Sequence, residues 1–285
     1  KLISLENGKT IKEARAEVSS ALESFDFSFS MPISTDNKSM QVSKGVFCCD
    51  RKEPLGVVAS IVPFNFPIMC VCWTTPVAVM MGNCIILKPS EKCPMTMSKV
   101  CELITLAEIP NGVIQIINGD VVAAKAIIDH KDIVALTFVG SSQIAETVSQ
   151  KCGSLNKRVL ALGGAKNHLV ALPDCDIEMT ANDITSSFAG CAGQRCMAAS
   201  VLLVVGNNND LVDRVVSIAN KIIPSRCEDA NSMGPVIDTA SMLRIKQYID
   251  QAEQSGAEIL LDGRQWSSTT GSWIGPTIIV HSNTN

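Results

Sequence analysis

The spacing of apolar and polar residues along the chain predicts short strands that alternate with helices. The predicted strands, rich in β-branched and other apolar residues, are 57–62, 84–88, 114–118, 133–138, 158–162, 169–172, 201–205, 259–261 and 277–280. The predicted helices, which lie between them, are 67–81, 95–107, 121–130, 142–152, 177–189, 210–222 and 240–255. This alternation favours an α/β fold with mainly parallel sheets. Residues 34–52 fall outside the alternation, and we expect them to form a separate hairpin or an excursion from the fold.

A stretch without charged residues runs from 56 to 87 and is long enough to suggest a membrane span. Pro63, Pro67 and Pro76 interrupt it, and Asn65 and Asn83 add polar amides. A helix embedded in lipid would tolerate these residues poorly. We therefore expect a buried strand, a loop and a buried helix there, and no membrane partner.

Composition and charge exclude several classes of protein. The 285 residues suffice for two domains, and 46% hydrophobic against 18% charged residues indicates a globular protein. A net charge of −4 with scattered basic residues leaves no basic surface for nucleic acid. The 12 cysteines lack the spacing of a disulfide framework, and the three histidines lack the spacing of metal ligands. We expect no metal site and a reducing compartment.

The segment A-G-Q-R-C-M-A at 192–198 contains the strongest candidate for a nucleophile, Cys196. Thiolates are the reactive form of cysteine, and Arg195 is a cation that favours ionisation. Gly193 allows the backbone to approach a substrate closely. Taken alone, such a cysteine is more often a small buried apolar side chain.

Polar residues follow three of the predicted strands. Asn65 lies in a proline-stiffened turn, where its amide suits a developing oxyanion, although such residues mostly cap turns. Lys88 and Glu91 could hydrogen-bond to ribose hydroxyls, but the same residues are also typical of a solvated loop. Gly140 and Ser141 open a helix whose start suits a pyrophosphate, although Ser141 also fits a plain N-cap. The sequence has no G-x-G-x-x-G segment.

Together, P-F-N-F-P, K-P-S-E, F-V-G-S and G-Q-R-C resemble the aldehyde dehydrogenase superfamily in their order along the chain. G-A-K-N-H, A-G-Q-R-C-M-A, L-E-N-G-K-T, L-L-D-G-R and G-P-T resemble its CoA-acylating methylmalonate-semialdehyde branch. The resemblance implies an α/β, aldehyde-dehydrogenase-like fold with a Rossmann-like NAD-binding domain at 1–164. It further implies an oligomerisation hairpin at about 34–52 and a partial α/β catalytic domain at 165–285.

The resemblance also implies residue roles. Cys196 would attack the aldehyde, Asn65 and the Cys196 N–H would hold the oxyanion, and Arg195 would bind a substrate carboxylate. Hydride would pass to NAD, leaving a thioester on Cys196. The residues implied to contact NAD are Val62, Phe64, Lys88, Glu91, Lys92, Gly140 and Ser141.

One absence points to the acyl acceptor. Hydrolytic family members carry a glutamate that activates water, and its position here falls on Leu162 or Ala161. Neither side chain can act as a base, so a thiol such as CoA is the expected co-substrate. The products would be acyl-CoA, NADH and CO2, as in valine and pyrimidine catabolism.

Two departures from the branch keep alternatives open. A substrate-binding arginine of the branch aligns with Ser20 or Ser19, which leaves a simple aliphatic aldehyde possible. Family members also continue beyond the position of Asn285. The alternatives are a non-acylating aldehyde dehydrogenase and an inactive truncated NAD-binding relative. We expect a homo-oligomer, dimer or tetramer, in the mitochondrial matrix if eukaryotic and otherwise in the cytoplasm.

Overall fold

The computed structural model describes residues 1–34, 37–225, 232–268 and 270–281. The chain divides into two units: Ala16–Gly164, called the sheet unit below, and Lys1–Arg15 with Ala165–Asn285, called the cysteine unit. The sequence prediction of one domain at 1–164 therefore needs a correction for its first 15 residues. They pack tightly within the cysteine unit, where a Cβ on Gly234 would lie 1.9 Å from the Gly8 carbonyl oxygen.

The helices and strands agree with most of the predicted alternation. The helices are α1 (Leu2–Asn7), α2 (Ile11–Ser34), α3 (Met69–Cys72), α4 (Thr75–Met80), α5 (Pro94–Leu106), α6 (Val121–Asp129), α7 (Ser142–Ser154), α8 (Ile177–Ala189), α9 (Asn209–Ala219) and α10 (Thr239–Gln254). The strands are β1 (Lys38–Ser43), β2 (Val46–Asp50), β3 (Val57–Ile61), β4 (Cys84–Lys88), β5 (Ile114–Ile116), β6 (Ile133–Val139), β7 (Arg158–Leu162), β8 (Asn167–Ala171), β9 (Ala199–Val204), β10 (Ile223–Pro224), β11 (Ser232–Met233), β12 (Glu258–Leu261) and β13 (Ile278–Val280).

A parallel sheet of order β5-β4-β3-β6-β7 forms the centre of the sheet unit. Strand order reverses between β3 and β6, which is the switch point where doubly wound sheets bind ligands. Ile61 lies opposite both Lys88 and Phe138, so the carboxyl ends of β3, β4 and β6 adjoin. Successive residues of β3 enter different core clusters, because strand side chains alternate between the faces of a sheet.

The predicted helix at 67–81 is two shorter helices, α3 and α4. The break falls at Trp73 and Thr74, just before the proline that opens α4. Pro76 has no N–H to donate, so it cannot continue the hydrogen bonding of α3 and is tolerated only in the first turn of a helix. The helix therefore restarts at Thr75, with Pro76 in its first turn.

The long helix α2 is absent from the predicted elements. Its second half reads S-F-D-F-S-F-S, an alternation typical of a strand. Phe25, Phe27 and Phe29 are nonetheless exposed, so the alternation does not mark a buried strand face. A capping box at Thr10 and Glu13 stabilises the start of the helix.

Strands β1 and β2 form an antiparallel hairpin in which every residue is exposed. Residues 35–36 of the predicted hairpin range lie outside the described residues. The oligomerisation role of this hairpin stays a prediction.

In the cysteine unit, parallel strands β8 and β9 pack on α8 and α9. A second cluster joins α10 to the antiparallel pair β12 and β13. The loop that carries Cys196 lies between α8 and β9, so this packing determines where it leaves the core.

Candidate active site

The carboxyl edge of the five-stranded sheet brings together the residues predicted to bind NAD. Val62 and Phe64 follow β3, Lys88 ends β4, and Gly140 follows β6. Glu91 and Lys92 come shortly after Lys88, and Ser141 comes next to Gly140. Seven residues separated by up to 79 positions thus converge on three adjacent strand ends, although NAD contact itself stays a prediction.

The Lys88 ammonium group is almost completely buried. Its Nζ donates hydrogen bonds to the carbonyl oxygens of Pro89 at 2.8 Å and Gly119 at 2.7 Å. A carboxylate oxygen of Glu91 lies 3.8 Å away. Burial lowers the pKa of Lys88, and the nearby charges of Glu91 and Asp120 partly oppose that shift. The Lys88 ammonium is therefore held in one place before any ligand arrives.

The turn from β6 into α7 is tightly packed at Gly140. A Cβ on Gly140 would lie 2.6 Å from Cζ of Phe138, well inside van der Waals contact. Ser141 precedes α7, but its hydroxyl makes no capping hydrogen bond. The first N–H groups of α7 thus suit an anionic ligand at the sheet edge.

Two other predicted residues have different surroundings. The Lys92 ammonium lies 5.9 Å from the centre of the Phe64 ring, a cation–π contact. The Val62 side chain is buried with Cys70 and Leu87 in a core cluster. Its contribution to a ligand site would therefore come from its backbone.

Asn65 is half-buried in the turn after β3, and no local pattern in the sequence reveals the carboxylate that supports this turn. Glu17 is 2% exposed, and its Oε1 accepts hydrogen bonds from the N–H groups of Ile68 at 2.9 Å and Met69 at 3.2 Å. These are the residues directly after the P-F-N-F-P segment. Glu17 therefore stabilises the chain immediately beyond Asn65.

The segment before Cys196 has an unusual backbone. Cys191, Ala192 and Gly193 have φ values of 54°, 53° and 72°, all in the left-handed region. For the two residues with a Cβ this conformation costs roughly 1–2 kcal/mol each. The segment persists because other groups hold it, and Cys196 follows it in a half-buried position.

Two amide side chains hold this segment and the residues after it. Gln194 donates to the Cys191 carbonyl at 3.1 Å and accepts from the Ile237 N–H at 2.9 Å. Asn167 donates to the carbonyl oxygens of Cys196 at 2.7 Å and Ala198 at 3.0 Å. Sequence reasoning missed both roles, since no local pattern marks an amide for a distant carbonyl.

Arg195 is paired within the protein. Its Nη2 lies 3.2 Å from Oε1 of Glu13, and its guanidinium occupies the space that a Cβ on Gly190 would need. The cation that the sequence offers to a substrate carboxylate therefore already has a carboxylate partner. The T-x-x-E pattern at 10–13 signals a capping box, but it does not reveal this pairing.

The positions that depart from family patterns also have defined surroundings. Leu162 ends β7 with 43% of its surface exposed. Ser20 is half-buried on α2. Cys196 belongs to the cysteine unit and Asn65 to the sheet unit.

Within the described ranges, no three His, Cys, Asp or Glu side chains group to hold a metal ion. Over the same part of the chain, no helix combines the length and apolarity needed to cross a membrane.

The doubly wound sheet and the loop that carries Cys196 occur together in one protein family. The chain matches the model of the aldehyde dehydrogenase family over residues 1–285 and belongs to that family. The aldehyde-dehydrogenase-like α/β fold is thereby confirmed.

Particular relatives are similar along nearly the whole chain. A malonate-semialdehyde dehydrogenase of Geobacillus thermodenitrificans is 40% identical over 99% of this chain and 59% of its own length. The structure of a methylmalonate-semialdehyde dehydrogenase from Oceanimonas doudoroffii is 35% identical with a TM-score of 0.93, covering 98% of this chain and 58% of that one. An NAD⁺ complex of a Bacillus cereus aldehyde dehydrogenase is 28% identical with a TM-score of 0.93, covering 98% and 57%. The chain thus spans less than two thirds of the length of these relatives.

Proposed function

We propose that this chain carries the cofactor-binding and nucleophile-bearing parts of an NAD-dependent aldehyde dehydrogenase for a malonate-type semialdehyde. One observation carries the proposal: Lys88, Glu91 and the glycine-opened start of α7 lie along the same carboxyl edge of the sheet, beside its switch point. This edge offers hydroxyl-binding groups and an anion-binding helix start together, as a dinucleotide requires. A relative solved with NAD⁺ supports the same cofactor here.

Cofactor fit rests on steric as well as polar features. Because Gly140 has no Cβ, the Phe138 ring can pack closely against the turn into α7. In the proposal, Lys88 and Glu91 bind the adenosine ribose, and Phe64, Lys92, Ser141 and the Val62 backbone line the remaining site. The chemistry that NAD supplies when bound is acceptance of a hydride.

In the proposed reaction, the Cys196 thiolate attacks the aldehyde carbon and forms a thiohemiacetal. The Asn65 amide and the Cys196 N–H donate hydrogen bonds to the oxygen that gains negative charge. Loss of hydride from the same carbon leaves a thioester on Cys196. A thiol then attacks the thioester, its sulfur forms the new acyl bond, and Cys196 leaves as thiolate.

We propose CoA as that thiol because the water-activating glutamate is missing. Leu162 cannot accept a proton, and thiolates attack thioesters without such help. Transfer to CoA gives an acyl-CoA. The carboxylate of a malonate-type substrate leaves as CO2 when its C–C bond breaks, and the α-carbon keeps the electron pair and takes up a proton from water. The names of the Geobacillus and Oceanimonas relatives support the semialdehyde class of substrate.

The substrate carboxylate is the part of the proposal with least support from side chains. Ser20 takes the position of one expected arginine, and Arg195 is paired with Glu13. A malonate-type substrate would therefore share Arg195 with Glu13. A comparison of malonate semialdehyde with propanal measures directly whether the carboxylate contributes to kcat/KM.

The deciding experiment follows NADH formation from malonate semialdehyde, with and without CoA. It uses the longest product of the gene alongside the 285-residue chain. Turnover that requires CoA would support the acylating reaction. Equal turnover without CoA would favour a non-acylating aldehyde dehydrogenase with another base. NAD binding by both proteins without turnover would favour an inactive NAD-binding relative.

Assembly and compartment are part of the proposal. The exposed apolar residues of the β1–β2 hairpin, including Val42 and Phe47, support a homo-oligomer built through this hairpin. Light scattering of the gene product tests for a dimer or tetramer. The relatives reported above come from bacteria, which have no mitochondrial matrix, so the cytoplasm is the proposed compartment.

A further inference from the structure

Glu13 is a carboxylate that the proposed reaction does not use, and its two oxygens have different tasks. Oε2 accepts hydrogen bonds from the N–H and the hydroxyl of Thr10, both at 2.9 Å. The Glu13 N–H returns a hydrogen bond to the Thr10 hydroxyl at 3.2 Å. This reciprocal pair completes the start of α2 with only one carboxylate oxygen.

The other oxygen binds the loop that carries Cys196. Oε1 accepts from the Cys191 N–H at 2.6 Å and from Arg195 Nη2 at 3.2 Å. These two donors lie on either side of the left-handed residues Ala192 and Gly193. A single oxygen atom therefore holds the loop at both ends, 178 positions away from Cys191 in the sequence.

Both contacts are of a strong kind. Hydrogen bonds to an ionised carboxylate are shorter and stronger than those between neutral groups. The Glu13 side chain is 18% exposed and the Arg195 side chain 30%, so solvent screens their pairing only in part. Gly190 contributes by leaving space for the guanidinium, because a Cβ there would lie 2.4 Å from its central carbon.

We propose that Glu13 is a positioning residue for the Cys196 nucleophile. Its carboxylate holds Cys191 in the left-handed region and keeps Arg195 beside Gly190, which together set the course of the chain into Cys196. The proposal rests on the proposed function only in taking Cys196 as the nucleophile.

Glu13→Gln tests this role, because the amide keeps the size of the side chain but loses its charge. Thr10→Ala is the matched control for the helix start: it breaks the capping box and spares the Oε1 contacts. Glu178→Gln is the control for loss of an ion pair, since Glu178 binds Arg214 within the same unit through two hydrogen bonds of 2.6 Å.

Two readouts separate positioning from simple stability. The first is the rate of iodoacetamide alkylation at Cys196 relative to exposed Cys101, resolved by peptide mass spectrometry. In Glu13→Gln, a loosened loop and an Arg195 charge without its partner should raise this ratio about threefold or more. The second is kcat/KM for the aldehyde in the longest gene product, which should fall about tenfold or more because the nucleophile is misplaced. NAD affinity should stay unchanged.

We expect a higher alkylation ratio and lower turnover in Glu13→Gln but in neither control variant. The melting temperatures of Glu13→Gln and Thr10→Ala should be similar. An unchanged alkylation ratio, unchanged turnover, or the same pattern in either control variant would overturn the proposal. If the wild-type protein forms no NADH, the proposed function fails, and the alkylation ratio alone then decides the role of Glu13.

Discussion

Gly140→Ala should weaken NAD binding through one added methyl group. Gly140 joins β6 to α7 at the sheet edge, and its φ lies outside the left-handed region. The substitution is therefore a steric test, with no backbone strain of its own. The added Cβ would lie 2.6 Å from Cζ and 2.8 Å from Cε1 of Phe138.

The magnitude follows from how little Phe138 can move. Carbon atoms prefer separations of about 3.5–4.0 Å, so the ring or the turn must shift by about 1 Å. Phe138 is 7% exposed and packs in a core cluster with Ile61 and Leu136. Overpacking of this kind costs about 1–3 kcal/mol of unfolding free energy. The protein can relieve this strain by displacing the start of α7. If moving α7 back to bind NAD then costs about 1.4 kcal/mol of binding free energy, NAD affinity falls about tenfold.

Gly153→Ala is the matched control, since Gly153 lies near the other end of α7 with no atom within 4 Å of an added Cβ. It should gain roughly 0.5–1 kcal/mol of unfolding free energy, because glycine is the weaker helix former. Urea denaturation and titration with NAD by calorimetry measure both quantities. Wild-type stability and NAD affinity in Gly140→Ala would refute the close approach at this turn.

Three further changes test the proposed chemistry and the buried thiols. Cys196→Ala should abolish NADH formation, while calorimetry should still detect NAD binding. The control Cys101→Ala, on the surface of α5, should retain turnover. NADH formation by Cys196→Ala would show that Cys196 is not the nucleophile. Leu162→Glu should release free acid without CoA, measured by chromatography, while Leu160→Glu, also exposed on the same strand, should not. Acid from neither variant or from both would contradict the missing-base argument. Burial and a nearby glutamate raise the pKa of Cys72 from 9.0 to about 12. The protonated thiol therefore contributes stability that is fully present below pH 9 and is lost as the pH rises towards 12. The loss in unfolding free energy is at most about 1.4 kcal/mol per pH unit. Cys72→Ala should therefore flatten the fall in urea-denaturation stability above pH 9, and a slope equal to wild type would count against the raised pKa.

Much of the sheet unit was predictable because its signals are local. Continuous apolar runs produced β3, β4 and β6, since parallel strands are buried on both faces and need no alternation. The polar residues after these strands then marked one edge. Helix α2 was not predictable in the same way, because Phe25, Phe27 and Phe29 imitate a strand pattern that packing does not use.

Local sequence patterns do not predict the contacts that hold the loop carrying Cys196. Its nucleophile candidate is evident from G-Q-R-C, but Asn167 and Gln194 hold carbonyl and N–H groups that no spacing rule relates to them. Sequence offered Arg195 as a free cation, whereas the structure pairs it with Glu13. A buried or half-buried charge takes whichever partner the folded chain brings near, and that partner is far away in the sequence.

By itself, the sequence determined the alternation of strands and helices and the polar residues at the strand ends. It also determined that a candidate nucleophile lies in a glycine-containing loop. Those features depend on a residue and its immediate neighbours. Tertiary structure alone decided that β3 lies between β4 and β6, which brings Lys88 and Gly140 to one edge, and that Glu13 holds the loop before Cys196. Strand order and long-range pairing depend on how whole elements bury their apolar faces and satisfy their polar groups together, and no short segment contains that information.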